Sequence, residues 1–344
     1  MEGDVPGQVS GVPGQVSADV LIVGAGPTGL YAAYYAAFRG LSVAVIDSLE
    51  QPGGQVTAMY PEKLIYDVAG FPAVRGRDLV AGLVAQADRF DPVYLLGHEA
   101  QRLEFAGGTP RVTTSRGTRV DCGAVIVTGG IGPFAPRRLA GGEEYEGRGL
   151  AYFVPRLSDY DGKDVIVVGG GDSAFDWAEN LHGLARSVTL VHRRDRFRAH
   201  AATVRRVRES GVRVLTHAEI ERLTGTGWVE EAHVRHVRDG AVSTLRTQGV
   251  IAALGFLADL GPLESWGLRL DGRKIAVDTM MATNLPRVYA AGDITGYPGK
   301  VPLISVGFGE AATAVNNAAI TLDPAADLFP GHSTDESVPV SRTA

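Results

Sequence analysis

The sequence predicts an α/β protein of two Rossmann-like (ββα-type) units, one inserted in the other, and three observations carry the prediction. Apolar, β-branched runs of strand length lead into Gly-rich turns and helical stretches twice, over residues 18–47 and 164–192. Each is followed at a distance by another apolar strand, at 124–130 and 251–256. Beyond Leu257 the chain carries one more strand and helix, which are expected to return to the first unit.

Residues 5–10 and 12–17 both read VPGQVS, a polar Pro/Gly repeat with too little apolar content for a core, so residues 1–17 are expected to be a disordered leader. Periodicity begins at Ala18, where ADVLIV has the character of a buried parallel strand. The Gly-rich turn, a helix over Thr28–Arg39 and the strand LSVAVID complete a βαβ unit. AVIVTGG at 124–130 is read as the last strand before the chain leaves the first unit. The pattern then restarts with DVIVV at 164–168, a second Gly-rich turn, a helix through Asn180 and SVTLVH at 187–192. IAALGF at 251–256 takes the corresponding closing place. The returning segment supplies RVYAAGD at 287–293 and a helix over Gly307–Thr321.

With 344 residues, 45% of them hydrophobic and 21% charged, the chain has ample material for two domains. It carries 45 glycines in 344 residues, about 13% against a usual ~7%, and clusters them between apolar runs, as tight turns and close backbone approach to ligands require. A net charge of −6 gives no general attraction to nucleic acid or anionic membrane. A lone cysteine, Cys122, excludes an intrachain disulfide, a CxxC pair and a Cys-rich metal site. Any redox chemistry therefore belongs to a bound cofactor, and no metal is expected. The amino terminus lacks a basic, apolar leader and no apolar run is long enough to span a bilayer, so a cytoplasmic location is expected.

Chemistry concentrates in the two turns. Gly24-Ala25-Gly26-Pro27-Thr28-Gly29 follows a strand and opens a helix, and Asp47 ends the next strand 18 residues beyond Gly29. The glycines serve a tight turn, close backbone approach to a pyrophosphate and close helix–strand packing. The helix N-terminus attracts the pyrophosphate, and Asp47 can accept from ribose hydroxyls. The second turn, Gly169-Gly170-Gly171-Asp172-Ser173-Ala174, is a GxGxxA variant. Its partner strand ends not in an acid but in His192-Arg193-Arg194, with Arg198 a turn further on. Guanidinium forks bind a ribose 2′-phosphate that a carboxylate would repel, so this site is read as one for NADPH. The acidic-ribose site is then expected to hold FAD, with Asp293 of the Gly292-Asp293 turn placed for a ribityl hydroxyl. A helix N-cap is the simpler role for Asp293.

In this order, GAGPTGL, GGQVTAMYPEKLIYDVAGFP, GGGDSA, HRRDRFRAH and YAAGD resemble the thioredoxin-reductase-like ferredoxin/flavodoxin NADP reductases over residues 18–335. The resemblance implies an FAD domain, 18–136 and 255–328, interrupted by an NADPH domain, 137–254, and followed by a C-terminal extension, 329–344. It implies a homodimer that delivers electrons singly to ferredoxin or flavodoxin. It further assigns Tyr60 to one face of the flavin ring, His332 with Ser333 to the other, and Gly53, Gly54 and Gln55 to the turn lining the flavin. Thioredoxin reductases of this architecture carry a CxxC pair just before the second Gly-rich turn. GLAYFVPRLSDYDGKDV here contains no cysteine, which excludes dithiol reduction within one chain. The reaction expected is hydride transfer from NADPH to FAD, with positioning as the protein's task and no general base. Two other readings share these motifs: an NADPH-dependent reductase of quinones, dyes, ferric chelates or a separate thioredoxin-like partner, and a non-catalytic flavin redox sensor. Arg205, Arg206 and Arg208 extend the basic run and suit either an acidic protein acceptor or a solvated helix face.

Overall fold

A computed structural model describes residues 10–12, 14–130, 132, 135–257, 260–332 and 334. Ser333, leader residues 1–9 and 13, and tail residues 335–344 lie outside the described residues. Among those described, residues within Met1–Ala58, Leu64–Pro133 and Ala258–Ala344 form one compact unit, and those within Met59–Lys63 and Phe134–Leu257 a second.

The first unit begins with β1 (Ser10–Val12), β2 (Gln15–Val23), α1 (Pro27–Phe38), β3 (Val43–Asp47) and α2 (Gly54–Met59). It continues with α3 (Gly76–Ala87), β4 (Val93–Leu96), β5 (Ala100–Ala106), β6 (Thr109–Thr114) and β7 (Arg119–Val127). In the sheet, β4, β3, β2 and β7 are parallel neighbours in that order, and β6 and β5 extend it antiparallel from β7.

The expectation of a structureless leader fails for residues 10–12 and 14–17. Ser10–Val12 pairs antiparallel with Gln15–Ser17 around Gly14, whose φ of 85° makes the tight turn. Gln15–Ser17 pairs in addition with Arg119–Asp121 of β7. The Gln15 side-chain amide donates to Asp121 at 2.9 Å. Main-chain pairing needs an open strand edge rather than apolar side chains, which is why the polar composition concealed it.

The second unit contains β8 (Leu150–Ala151), β9 (Asp164–Val168), α4 (Asp172–His182), β10 (Ser187–His192), α5 (Ala201–Glu209) and β11 (Arg213–Thr216). A three-stranded antiparallel meander follows, β12 (Ala218–Thr224), β13 (Glu231–His236) and β14 (Val242–Arg246), and then β15 (Gly249–Ala252). The parallel order is β8-β15-β9-β10-β11. At the ends of this insert, Ala135–Pro136 pairs antiparallel with Phe256–Leu257.

The chain then returns to the first unit with β16 (Val288–Ala290), parallel to the C-terminal half of β7, and α6 (Ile304–Leu322). Strand alternation explains the layering. Val20, Ile22, Val43, Val45, Ala124 and Ile126 face α1 and α6 through Ala32, Ala36, Ala311, Ala314 and Ala318. Leu21, Val23, Val125 and Val127 face the other way, onto a core with Leu260, Leu263 and Trp266. Small residues on both helices let them lie close over the sheet. Because β2, β3, β7 and β16 run parallel, their C-terminal ends bring Gly24, Asp47, Thr128 and Gly292 to one edge of the sheet, where ligands of open α/β folds bind.

Two candidate dinucleotide sites

At the first sheet edge, Gly24 has a φ of 114°, and a Cβ there would lie 2.7 Å from the Thr128 carbonyl oxygen. Its N–H donates to Ile46 O at 2.8 Å. A Cβ on Gly29 would fall 1.8 Å from Gly24 O. Gly26 contrasts with both: it is the extended N-cap of α1, and a Cβ on it would meet no atom within 4 Å. With Pro27 in the first turn, no side-chain cap and no acid within that turn, the N-terminal N–H groups of α1 are left without a side-chain acceptor, and the space beside Gly26 is open. Such a cradle fits a pyrophosphate.

Asp47 closes this turn from the neighbouring strand. Its Oδ2 accepts the Ala25 N–H at 2.6 Å and its Oδ1 the Leu49 N–H at 2.8 Å. Burial pushes the carboxyl pKa up, and the two backbone hydrogen bonds oppose that rise. Each oxygen retains acceptor capacity for a further donor. Gly53 donates to Ala25 O at 2.7 Å, and a Cβ on Gly54 would sit 3.0 Å from the Gly26 Cα. The Gln55 amide nitrogen lies 2.9 Å from the place of a Gly130 Cβ. Thr28 in turn contacts the returning segment, its Oγ1 2.9 Å from the place of a Gly292 Cβ. The structure thus brings Gly24, Gly26, Pro27, Thr28, Gly29, Asp47, Gly54, Gln55 and the Gly292-Asp293 turn together in one unit.

The remaining residues assigned by resemblance are placed differently. Tyr60 falls in Met59–Lys63, which clusters with the second unit, where Tyr60 packs against the core containing Phe175 and Leu181 and Lys63 pairs with Asp176. His332 is exposed in the segment after α6, its ring 5.0 Å from that of Phe329 and steeply tilted to it.

In the second unit, Gly169 has a φ of 155° and no room for a Cβ, which would lie 2.4 Å from Ala253 O and 2.9 Å from the Ala174 Cβ. Gly171 is the extended N-cap of α4 and, like Gly26, is open where a Cβ would project. The basic loop is tied to this turn at two points. Arg198 N–H donates to Gly170 O at 2.8 Å, and the Asp172 carboxylate accepts the His200 N–H at 2.9 Å. Asp172 is thereby engaged with the loop, and Ser173 is exposed beside it. The His192 ring packs on Gly170, with Nε2 3.2 Å from Arg196 O. Burial first, then the charges of Arg193, Arg194 and Arg198, push the His192 pKa down. These three arginines are exposed and carry no acidic partner among the described residues. Asp195, the acid within the loop, lies instead 3.6 Å from His217 and 3.9 Å from Arg238. Three uncompensated guanidiniums beside an open helix N-terminus fit a phosphomonoester.

Further along α5, Arg206 is neutralised by both oxygens of Glu179, at 2.6 and 3.1 Å. Arg205 and Arg208 line a groove of about 430 Å³ with Phe197 and Val204. The basic run is therefore broken by a structural ion pair. Two further residues were missed by the motif reading. Thr128 is buried and donates to Gly24 O at 2.8 Å. Glu310 is buried in α6 and accepts the Gly292 N–H at 2.7 Å. A threonine ending an apolar strand and an acid in an Ala/Gly-rich helix were the only signals.

Cys122 is buried, its Sγ 3.5 Å from Pro110 O, and burial pushes its thiol pKa up to about 12. At neutral pH it is a thiol without nucleophilic character. Iodoacetamide is expected to leave the folded protein unlabelled at Cys122, and Cys122→Ala to leave NADPH oxidation unchanged. Labelling read by mass spectrometry, with and without denaturant, checks this.

With fold and sites in place, the chain belongs to the pyridine nucleotide-disulphide oxidoreductase family, which it matches over residues 18–318. It is 65% identical over 319 residues to the Ferredoxin--NADP reductase of Salinispora arenicola, covering 93% of this chain and 99% of that protein. The Ferredoxin--NADP reductase of Thermus thermophilus is 51% identical over 327 residues, 93% of this chain and 98% of its own. Among solved structures, thioredoxin reductase from T. acidophilum matches with a TM-score of 0.77 at 26% identity, covering 89% of this chain and 97% of that one. The expected fold of two Rossmann-like units and the expected family resemblance both hold. Among the described residues, no helix is long and apolar enough to cross a membrane.

Proposed function

We infer that this chain is an NADPH-dependent flavoprotein reductase that passes reducing equivalents to ferredoxin. The carrying observation is the opposite character of two otherwise matching turns: an acid, Asp47, closes the first, and three arginines with no acidic partner among the described residues flank the second. The names of relatives at 65% and 51% identity support the acceptor. FAD is assigned to the first unit, through Gly24, Gly26, Pro27, Thr28, Gly29, Asp47, Gly54, Gln55 and Asp293. NADPH is assigned to the second, through Gly169, Gly171, Asp172, Ser173, Ala174, His192, Arg193, Arg194 and Arg198. Tyr60, His332 and Ser333 are assigned to the flavin ring by the family resemblance alone.

When bound, the nicotinamide supplies a hydride and the flavin accepts it and releases electrons singly. The chain's own part is to bind and orient. The N-terminus of α1 offers unpaired N–H groups to one pyrophosphate, and Asp47 accepts from a ribose while holding the turn that presents those groups. On the other unit, Asp172 and the Arg198 N–H pin the backbone of the basic loop against the glycine turn, so the loop that carries the guanidiniums is set before the phosphate arrives. No buried thiol pair competes for electrons.

Flavodoxin as a second acceptor and a homodimeric assembly follow from the same resemblance, as does the division into an FAD domain and an inserted NADPH domain; a cytoplasmic location is proposed beside them. Stopped-flow mixing of the purified protein with NADPH is expected to bleach the flavin band quickly, and oxidised ferredoxin to restore it quickly. Restoration by dyes, quinones or ferric chelates but not by ferredoxin would replace this reading with that of a broad NADPH-dependent reductase.

A further inference from the structure

Glu310 is a buried carboxylate with no role in the motifs, lying in α6 at 5% exposure beside Gly307, Ala311 and Ala314. A carboxylate so placed is tolerated only with strong partners, and among the described residues all of Glu310's come from one short loop. Its Oε2 accepts the Gly292 N–H at 2.7 Å and faces the Thr295 hydroxyl at 3.5 Å. Its Oε1 accepts the Tyr297 hydroxyl at 2.5 Å and the Lys300 ammonium. Thr295 Oγ1 donates back to Gly292 O at 2.8 Å. The opposite side of Gly292, at a φ of 84°, is closed by Thr28 of α1. Gly292 is clamped between two helices.

Asp293 comes next. Its main-chain oxygen accepts from Lys274 Nζ, while its carboxylate is half-buried and has no partner among the described residues. The backbone on both sides of Asp293 is held while its side chain is left available. We propose that Glu310 is a positioning residue for FAD, which fixes the Gly292-Asp293 turn from beneath so that Asp293 is presented at one angle. The proposal rests on the reading of Asp293 as the residue that accepts from the ribityl chain. A glutamine cannot replace the carboxylate, because its –NH₂ would face either the Gly292 N–H or the Tyr297 and Lys300 donors.

The test uses holoprotein diluted to release FAD, followed by FAD fluorescence, with ADP-ribose as a competitor that lacks the ribityl and ring portions. Glu310→Gln is expected to weaken FAD binding on the order of tenfold and to leave the inhibition constant of ADP-ribose unchanged. In an Asp293→Ala background, Glu310→Gln is expected to have little further effect, since it acts through Asp293. Equal weakening of FAD and ADP-ribose, or full additivity with Asp293→Ala, overturns the proposal in favour of a general folding role. Unaltered FAD affinity in Asp293→Ala alone identifies a different failure, that of the Asp293 assignment, and takes the proposal with it. If Glu310→Gln does not fold, Tyr297→Phe removes one donor to the carboxylate and is expected to weaken FAD selectively over ADP-ribose. Absence of that selectivity counts against the proposal.

Discussion

Replacing Arg193 and Arg194 together by alanine is expected to raise the Michaelis constant for NADPH by about 100-fold and to leave that for NADH nearly unchanged. Both side chains are exposed, so the lower end of the range for charge-assisted hydrogen bonds applies, about 1.5 kcal/mol each. Their sum of about 3 kcal/mol corresponds to roughly two decades in affinity. No acid near the loop competes for them among the described residues, because Asp195 is drawn to His217 and Arg238 and Asp172 to the His200 N–H. The full effect is therefore expected to fall on the 2′-phosphate. Steady-state kinetics with both nucleotides measures it, and an equal rise for NADH and NADPH would remove the phosphate assignment.

The second large effect separates two glycines three residues apart. Gly29→Ala places a methyl 1.8 Å from Gly24 O and 2.7 Å from Thr128 Oγ1. Neither neighbour can retreat, because Gly24 is bonded to Ile46 O and receives the Thr128 hydroxyl. Overpacking of this kind costs about 1–3 kcal/mol, occasionally more, and the backbone contact puts Gly29→Ala at the upper end. The variant is expected to melt at lower temperature and to be purified without yellow colour. Gly26→Ala meets no protein atom within 4 Å. It is expected to keep the melting temperature of the FAD-free protein and to lose FAD, because its methyl would enter the space proposed for the pyrophosphate. Calorimetry of stripped proteins together with the flavin absorbance of those freshly purified distinguishes the two. A Gly26→Ala protein that retains flavin normally would show that the pyrophosphate lies elsewhere.

What could be read without coordinates depended on the range of each interaction. Strands such as Asp164–Val168 and Ser187–His192 were legible because a buried parallel strand is a continuous apolar run. The two glycine turns were legible because the constraint on each glycine arises within a few residues of it. Glu310 was not, since a lone acid in a helix ordinarily faces solvent and its partners at Gly292, Tyr297 and Lys300 lie across a loop. The hairpin at residues 10–17 was hidden for the opposite reason: its bonds are main-chain to main-chain, and β7 supplies the edge from a hundred residues away. Tyr60 shows a third limit. Its neighbours on either side, Gly54 and Leu64, belong to the first unit, and only the packing of Met59–Lys63 groups it with the second.

The short ribbon formed by Ala135–Pro136 and Phe256–Leu257 gives the insert the geometry of a removable cassette. Its entry and exit strands pair with each other, so excising the segment between them leaves two ends already within reach of a tight turn, at small loop-closure cost. A connection of this kind lets the chain leave and re-enter at one point. The same property makes the unit exchangeable by domain grafting. A transplanted nucleotide unit with an acid in place of Arg193 would carry its own coenzyme preference with it, and the one piece it would leave behind is Met59–Lys63.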